Sequence, residues 1–325
     1  MPRLFVAVAL VLWPGVGAAQ VWQAIQAEAA RCAKGTPWNF WVHRGRPDHV
    51  LVYLQGGGGC WEKSHCDLKD QPTFDPTVDE SDNPATADGV LAVDRTGNPF
   101  KGWTVVFVPY CTADVHLGGR EVDYAGVAMN HHGAANVAAA LQWVAREIRK
   151  PSDIVVAGGS AGAIPVPVYA IRLARQFPRA RVTGIGDGAG GYRAPRIPGI
   201  LAGWGVRQTL ADIPAFAKID SAGLTFEALY LAAGRANPKL RLAQINQDHD
   251  QVQLQFLALL GVPAQPLAPL LEANLHDIET AVPTFRRYLI PSEDHTILTR
   301  PGFYATVVNG VSLADWITAT IETKR

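Results

Sequence analysis

The run Gly158-Gly159-Ser160-Ala161-Gly162 sets a serine between two glycines. It follows the apolar stretch Ile154 to Ala157 and precedes a helical pattern from Pro165 to Gln176. Strand, sharp turn and helix in that order form a nucleophile elbow, which lifts the serine hydroxyl above the edge of a sheet. The helix N-terminus beside it favours developing negative charge. The pattern also fits a strand-to-helix turn without chemistry, but its flanking elements favour Ser160 as a nucleophile. The chemistry would be acyl transfer, which needs a base, an orienting acid and donors for the oxyanion.

In chains of this kind the base follows the serine, and the acid lies between them. Of nine histidines, His249, His276 and His295 follow Ser160. His295 sits just past the short apolar run Arg287 to Ile290, where a loop can reach back over the sheet edge. His249 and His276 read as surface or cap residues. For the acid, Asp248 lies after the run Leu242 to Ile245, Asp250 stands two residues later, and Asp187 follows the preceding run. Position favours Asp248 over Asp250, with Asp187 third. Asp277 lies in a helical pattern, and Asp294 adjoins His295 too closely to orient its ring.

The oxyanion donors are expected in Leu54-Gln55-Gly56-Gly57-Gly58-Gly59, an early strand ending in four glycines. Gly57 and Gly58, within one residue, are assigned as backbone donors together with the N–H of Ala161, the residue after the nucleophile. The glycine run lacks the Lys-Ser/Thr ending of a phosphate loop and the spacing of a dinucleotide fingerprint. Asp114-x-His116 and Asn130-His131-His132 have metal-ligating residue types, but no further ligand stands at motif spacing. Asp114 is expected to accept backbone hydrogen bonds near the oxyanion loop, and His116 to line the site. No metal or cofactor is expected.

The elements that must hold these residues alternate along the chain. Strand-like runs are His49 to Leu54, Trp103 to Val108, Ile154 to Ala157, Val182 to Ile185, Leu242 to Ile245 and Arg287 to Ile290. Val137, Leu141, Val144 and Ile148 mark a helix over 134–148 by their three-to-four spacing, and 313–323 reads as a closing helix. Continuously apolar strands between helices imply a doubly wound α/β fold, its mostly parallel sheet covered on both faces. The stretch 193–240, helical with scattered Pro and Gly, reads as an inserted cap. One catalytic domain over 20–325 is therefore preferred to the two that 325 residues suggest at roughly 150 per domain.

Composition narrows the function class. Hydrophobic residues make up 48% and charged residues 18%, which excludes a disordered chain. Lys+Arg and Asp+Glu balance at 29 each, which argues against a nucleic-acid partner. Arg3, the apolar run Leu4 to Trp13 and the small residues Gly17-Ala18-Ala19 read as a secretory leader cleaved after residue 19. No later stretch is long and apolar enough to span a bilayer. In an exported chain the four cysteines are expected to pair, and four allow three pairings. Cys60–Cys66 would close a small loop beside the glycine run, and Cys32–Cys111 would then tie the N-terminal segment to a later strand. Free buried thiols are the alternative.

Together, Gly56-Gly57-Gly58-Gly59-Cys60-Trp61, Val108-Pro109-Tyr110-Cys111-Thr112-Ala113-Asp114-Val115-His116-Leu117-Gly118, the serine elbow and Asp294-His295-Thr296-Ile297-Leu298 resemble the pectin acetylesterase family, which includes the Notum carboxylesterases. The resemblance runs from about Cys32 to Leu298. It implies an α/β-hydrolase fold, a Ser-Asp-His triad with Ser160 and His295, and the cysteine pairing just described. The family's acid often precedes a glutamine three residues on, and Asp248-His249-Asp250-Gln251 matches in favour of Asp248. Two departures alter the pocket wall and the cap. Gly58-Gly59 stand where animal and plant members carry Trp or similar bulk, and the C-terminal half lacks their extra cysteines. The shorter disulfide set resembles that of bacterial members.

The expected function is that of a secreted or periplasmic serine esterase, acting as a monomer on acetyl or other carboxylic esters, such as those of an extracellular polysaccharide. No membrane partner is expected after leader removal. A lipid or short-chain carboxylesterase, a protease or thioesterase, and an inactive hydrolase-fold binding protein are the alternatives. Trp38, Phe40, Trp41 and Trp61 suit sugar stacking, an acyl-pocket wall or the core.

Overall fold

A computed structural model describes residues 21–322. The expected leader, 1–19, lies outside the described residues.

Ten strands are relevant to the site: β1 (Gln23–Arg31), β2 (Pro37–His43), β3 (Arg46–Leu54), β4 (Trp103–Val108), β5 (Arg120–Asp123), β6 (Ala128–His131), β7 (Asp153–Gly159), β8 (Arg181–Asp187), β9 (Arg241–Gln247) and β10 (Arg286–Ile290). The helices are α1 (Lys63–Cys66), α2 (Gly133–Glu147), α3 (Val166–Gln176), α4 (Ile197–Gly203), α5 (Val206–Leu210), α6 (Phe226–Ala236), α7 (Gln251–Leu259), α8 (Leu267–Ala281) and α9 (Leu313–Glu322). Each expected strand and helix is present, its ends within three residues of those read from the sequence.

Eight strands form one sheet in the order β1-β2-β4-β3-β7-β8-β9-β10. From β4 to β10 all neighbours are parallel, while β1–β2 and β2–β4 are antiparallel. Every residue of β4 and β7 is buried, because helices or long connections cover both faces. Alternate residues feed opposite cores. Val50, Val52, Leu54, Val106, Ile154 and Val156 join the core beneath α2, α3, α6 and α8. Leu51, Tyr53, Val105, Phe107, Val155 and Ile185 face the other core, with Leu313, Ile317 and Ile321 of α9.

β1 and β2 were not legible as strands. Gln23–Arg31 is rich in Ala, Gln and Glu and mostly exposed, so its intrinsic preference is helical. Pairing with β2 at the sheet edge overrides that preference.

The parallel register brings five strand ends to one edge. Leu54 lies opposite Gly158, Gly159 opposite Asp187, Asp187 opposite Ile245, and Gln247 opposite Ile290. The loops leaving β3, β7, β8, β9 and β10 therefore converge, as expected of a sheet whose site lies beyond its carboxyl ends. Disulfides Cys32–Cys111 and Cys60–Cys66 clip the N-terminal side of this edge, with Cα–Cα distances of 5.0 and 5.3 Å. They form the pairing that the family resemblance implies.

Candidate active site

Ser160 opens a single 3-10 turn between β7 and α3 with φ at +53°. A non-glycine residue in the left-handed region is strained by about 1–3 kcal/mol and persists only where its surroundings enforce it. Those surroundings are tight. A Cβ on Gly158 would stand 2.2 Å from Gly162 O, and one on Gly162 would stand 2.1 Å from Leu54 O. Both glycines are thus required for β7, the turn and the end of β3 to pack.

His295 is part-buried on the loop after β10. Its Nδ1 donates to Asp250 Oδ2 at 2.7 Å, and Asp250 is fully buried. Asp250 Oδ1 accepts from the backbone N–H groups of Val252 and Gln253 at 2.9 Å, capping α7, and Oδ2 also accepts from Gln253 Nε2 at 3.0 Å. Four donors thus hold one carboxylate in a dry site. The opposite ring nitrogen, His295 Nε2, is buried and has no hydrogen-bond partner. His295 lines the same cavity as Ser160.

The aspartate against His295 is Asp250 and not the expected Asp248. Asp248 does not reach His295: its Oδ1 accepts from the exposed His249 at 2.6 Å and from Ser292 N–H at 3.3 Å. The chain turns between the two aspartates so that Asp250, as the N-cap of α7, points inward. That cap was readable in the sequence, since Asp followed by Gln251-Val252-Gln253-Leu254 is a helix start. Asp187 is also fully buried, and its Oδ2 accepts from the N–H groups of Ile297 and Leu298 at 2.7 and 2.8 Å. It therefore holds the loop carrying His295, and burial pushes its carboxyl up to about 6. His276 is exposed on α8, and Asp277 pairs there with Arg193.

The glycine run leaves β3 beside the elbow. Gly58 has φ +74°, and a Cβ there would stand 1.9 Å from Thr73 O. Among the described residues, no protein acceptor is paired with the N–H of Gly57, Gly58 or Ala161. The loop is braced from behind. Tyr110 OH donates to Gly58 O at 3.0 Å and accepts from Val115 N–H at 2.8 Å. Gln55 Oε1 accepts from Tyr110 N–H at 2.8 Å, and its Nε2 donates to Asp82 Oδ1 at 2.8 Å.

His116 is buried rather than lining the site. Its Nε2 donates to Gln55 O at 2.8 Å, and burial pushes the imidazole down to about 4, so the ring is neutral. Asp114 accepts from Thr112 Oγ1, His116 N–H and Gly133 N–H, and burial pushes its carboxyl up to about 7. His131 Nδ1 donates to Thr112 O, and its Nε2 accepts from Tyr124 OH. Among the described residues no three His, Cys, Asp or Glu side chains are grouped as a metal site.

Two cavities meet at Ser160, Gly58 and Phe256. One, of about 420 Å3, is an open groove lined by Ser81, Asp82, Asn83, His295, Thr299 and Arg300. The other, of about 50 Å3, is walled by Trp61, Val115, Ile164, Tyr192, Ile197, Trp204, Phe226 and Leu260. Trp61 thus stands at the pocket, whereas Trp38, Phe40 and Trp41 are buried in the core. The stretch expected to cap the site contributes Ile197, Ile200 and Trp204 from around α4 and Phe226 from α6. Sequence reading missed Tyr192, Trp204, Phe226 and Phe256, because apolar residues scattered through four segments carry no motif.

Residues 17–193 match the profile of the family described as Pectinacetylesterase. Human palmitoleoyl-protein carboxylesterase NOTUM is 28% identical over 171 residues, which cover 48% of this chain and 33% of that one. The zebrafish protein named inactive palmitoleoyl-protein carboxylesterase notum1b is 32% identical over 120 residues, covering 35% of this chain and 82% of the relative. The match therefore spans a third of the human protein's length. Among solved structures, the Wnt deacylase Notum from Drosophila superposes with a TM-score of 0.67 at 18% identity, covering 92% of this chain and 93% of that one. That likeness shows a Notum-like α/β-hydrolase fold.

Proposed function

This chain belongs to the pectinacetylesterase family, and from that premise we propose that it is an exported serine esterase that cleaves carboxylic esters through an acyl-enzyme. The observation that carries the reading is the His295 ring. Its Nδ1 is fixed on the buried Asp250, its Nε2 has no partner in the protein, and the residue lines the same cavity as Ser160.

In this reading Ser160 Oγ attacks the ester carbonyl while His295 Nε2 takes the hydroxyl proton. The imidazolium is held by Asp250. The N–H groups of Gly57, Gly58 and Ala161 receive the oxyanion, each worth about 2.7–4 kcal/mol of transition-state stabilisation. Collapse of the tetrahedral intermediate breaks the C–O bond, and His295 returns the proton to the leaving alcohol. Water then attacks the acyl-serine, passing its proton to Nε2, and release of the acid restores Ser160.

The open groove supports a polyhydroxylated alcohol, since hydroxyl, amide and charged side chains line it. A polysaccharide ester such as acetylated pectin fits that wall and suits an exported, monomeric enzyme with its leader removed. The stretch 193–240 acts as the cap over the acyl side. An inactive scaffold is the second reading: one relative is named inactive, and no hydrogen bond joins Ser160 to His295 here.

A fluorophosphonate probe separates the two, because it labels only an activated serine. Labelling at Ser160 and loss of p-nitrophenyl ester turnover in Ser160→Ala are the expected results. Undiminished turnover in a pure Ser160→Ala preparation would sink the assignment.

A further inference from the structure

Behind the glycine loop, Ala113, Val115 and His116 have left-handed backbone, with φ of +56°, +51° and +58°. That conformation is uncommon for any residue with a side chain and most costly for a β-branched one such as Val115. It persists only where the surroundings enforce it.

The strained turn holds the glycine loop before, within and after its glycines. His116 Nε2 donates to Gln55 O at 2.8 Å, just before the run. Val115 N–H donates to Tyr110 OH, which donates in turn to Gly58 O. Ala113 O accepts from Cys60 N–H at 3.1 Å, just after the run. The path of residues 55–60 is therefore set by the path of residues 113–116.

Asp114 enforces that turn. Its carboxylate is fully buried. Oδ1 accepts from Thr112 Oγ1 at 2.6 Å and from His116 N–H at 3.1 Å, which closes the turn on itself. Oδ2 accepts from Gly133 N–H at 2.7 Å, which fastens the turn to the start of α2. A Cβ on Gly133 would stand 2.3 Å from Oδ1, and one on Gly118 would stand 2.3 Å from Oδ2, so the carboxylate is seated between them. Among the described residues it has no cationic partner, and these donors alone offset its burial.

We propose that Asp114 is a positioning residue for the oxyanion hole: through the turn it holds, it fixes where the Gly57 and Gly58 N–H groups stand relative to Ser160. The proposal rests on the serine-esterase reading. Asp114 lines neither cavity at Ser160, so its effect passes through the loop. The loop meets the charge that develops on the carbonyl oxygen rather than the bound ester, so the effect falls on kcat. A shift of the donors by about 1 Å costs on the order of a hundredfold in rate.

The test uses the full chain and p-nitrophenyl acetate, with kcat taken per folded molecule from urea unfolding. Asp114→Asn presents an amide where both oxygens accepted, so either His116 N–H or Gly133 N–H loses its acceptor. Its kcat is expected to fall on the order of a hundredfold, with KM within about twofold of wild type. Phenylboronic acid reads the hole without turnover. Boron accepts the Ser160 Oγ electron pair, the hydroxyl proton passes to His295 Nε2, and a boron-bound oxygen takes the place of the oxyanion. Its Ki should rise by about the factor by which kcat falls. Thr112→Val removes one donor to the carboxylate and should lose about tenfold in kcat, and Thr112→Ser, which keeps the hydroxyl, should recover most of that loss. If Asp114→Asn does not fold, the two Thr112 variants decide. With Ser160→Ala inactive, wild-type kcat in folded Asp114→Asn or Thr112→Val, or a loss carried by KM with boronate affinity unchanged, overturns the positioning role alone. Turnover surviving in Ser160→Ala overturns the serine reading and the proposal with it.

Discussion

Asp250→Asn gives the sharpest test of how the base is held. In the native site the Asp250 carboxylate can only accept, so His295 keeps its proton on Nδ1 and leaves Nε2 unprotonated and without a protein partner. Asparagine is nearly isosteric, and its oxygen can still accept from Val252 and Gln253 N–H, so the α7 cap survives, and the loss of an acceptor for the buried Gln253 Nε2 costs about 1–3 kcal/mol of stability. Its amide then faces His295 Nδ1 and Gln253 Nε2, both donors in the native site. The imidazole escapes that conflict by moving its proton to Nε2, where it no longer serves as a base. The lost charge matters too. An imidazolium about 4 Å from a carboxylate, at an effective dielectric near 20, is stabilised by about 4 kcal/mol, or on the order of a thousandfold in rate. With the tautomer effect, kcat/KM should drop on the order of 10^3 to 10^4. The assay is steady-state hydrolysis of p-nitrophenyl butyrate, with urea unfolding to confirm the fold. Asp248→Asn is the control: it perturbs only the exposed His249 pair and Ser292 N–H, and should lose less than about threefold. A large loss in Asp248→Asn with Asp250→Asn within tenfold of wild type would refute the reasoning.

Two more outcomes follow from the supports of the site. Tyr110→Phe removes the hydroxyl that joins Gly58 O to Val115 N–H, so both are left unpaired. Stability should fall by about 1–3 kcal/mol in urea, and kcat should fall with KM little changed, because the loop meets the oxyanion rather than the ground-state ester. Asp187→Asn tests a buried carboxyl whose folded value, about 6, lies above its ordinary 3.8. The folded state holds this proton more tightly than the unfolded chain, so the stabilisation is complete below about pH 4 and is lost as pH rises through about 6. The wild type should lose about 3 kcal/mol from this group over that window, and the variant should not. Parallel unfolding-versus-pH curves for the two proteins would contradict the account.

How much of the site was legible depended on how local its signals were. Gly158-x-Ser160-x-Gly162 announced itself because the close approaches of its glycines, and the strand and helix flanking it, lie within a few residues. The Gly56–Gly59 run was legible for the same reason. Continuous apolar runs marked the central strands, since burial on both faces leaves no alternation to confuse with a helix. The edge strand β1 was hidden, because only its partner β2 makes an Ala-rich segment extended.

The sequence by itself thus determined the fold class and the family, and it marked the turn carrying Ser160, the loop carrying His295 and the glycine loop as the candidate site. The tertiary structure decided what depends on direction and convergence. Asp248 and Asp250 are two residues apart and chemically identical, yet only the one that caps α7 points into the protein at His295. The wall of the apolar cavity likewise gathers Trp61, Tyr192, Trp204, Phe226 and Phe256 from segments far apart in the chain. Apolar residues look alike in sequence wherever they pack, and only the fold says which of them face an empty space beside the nucleophile.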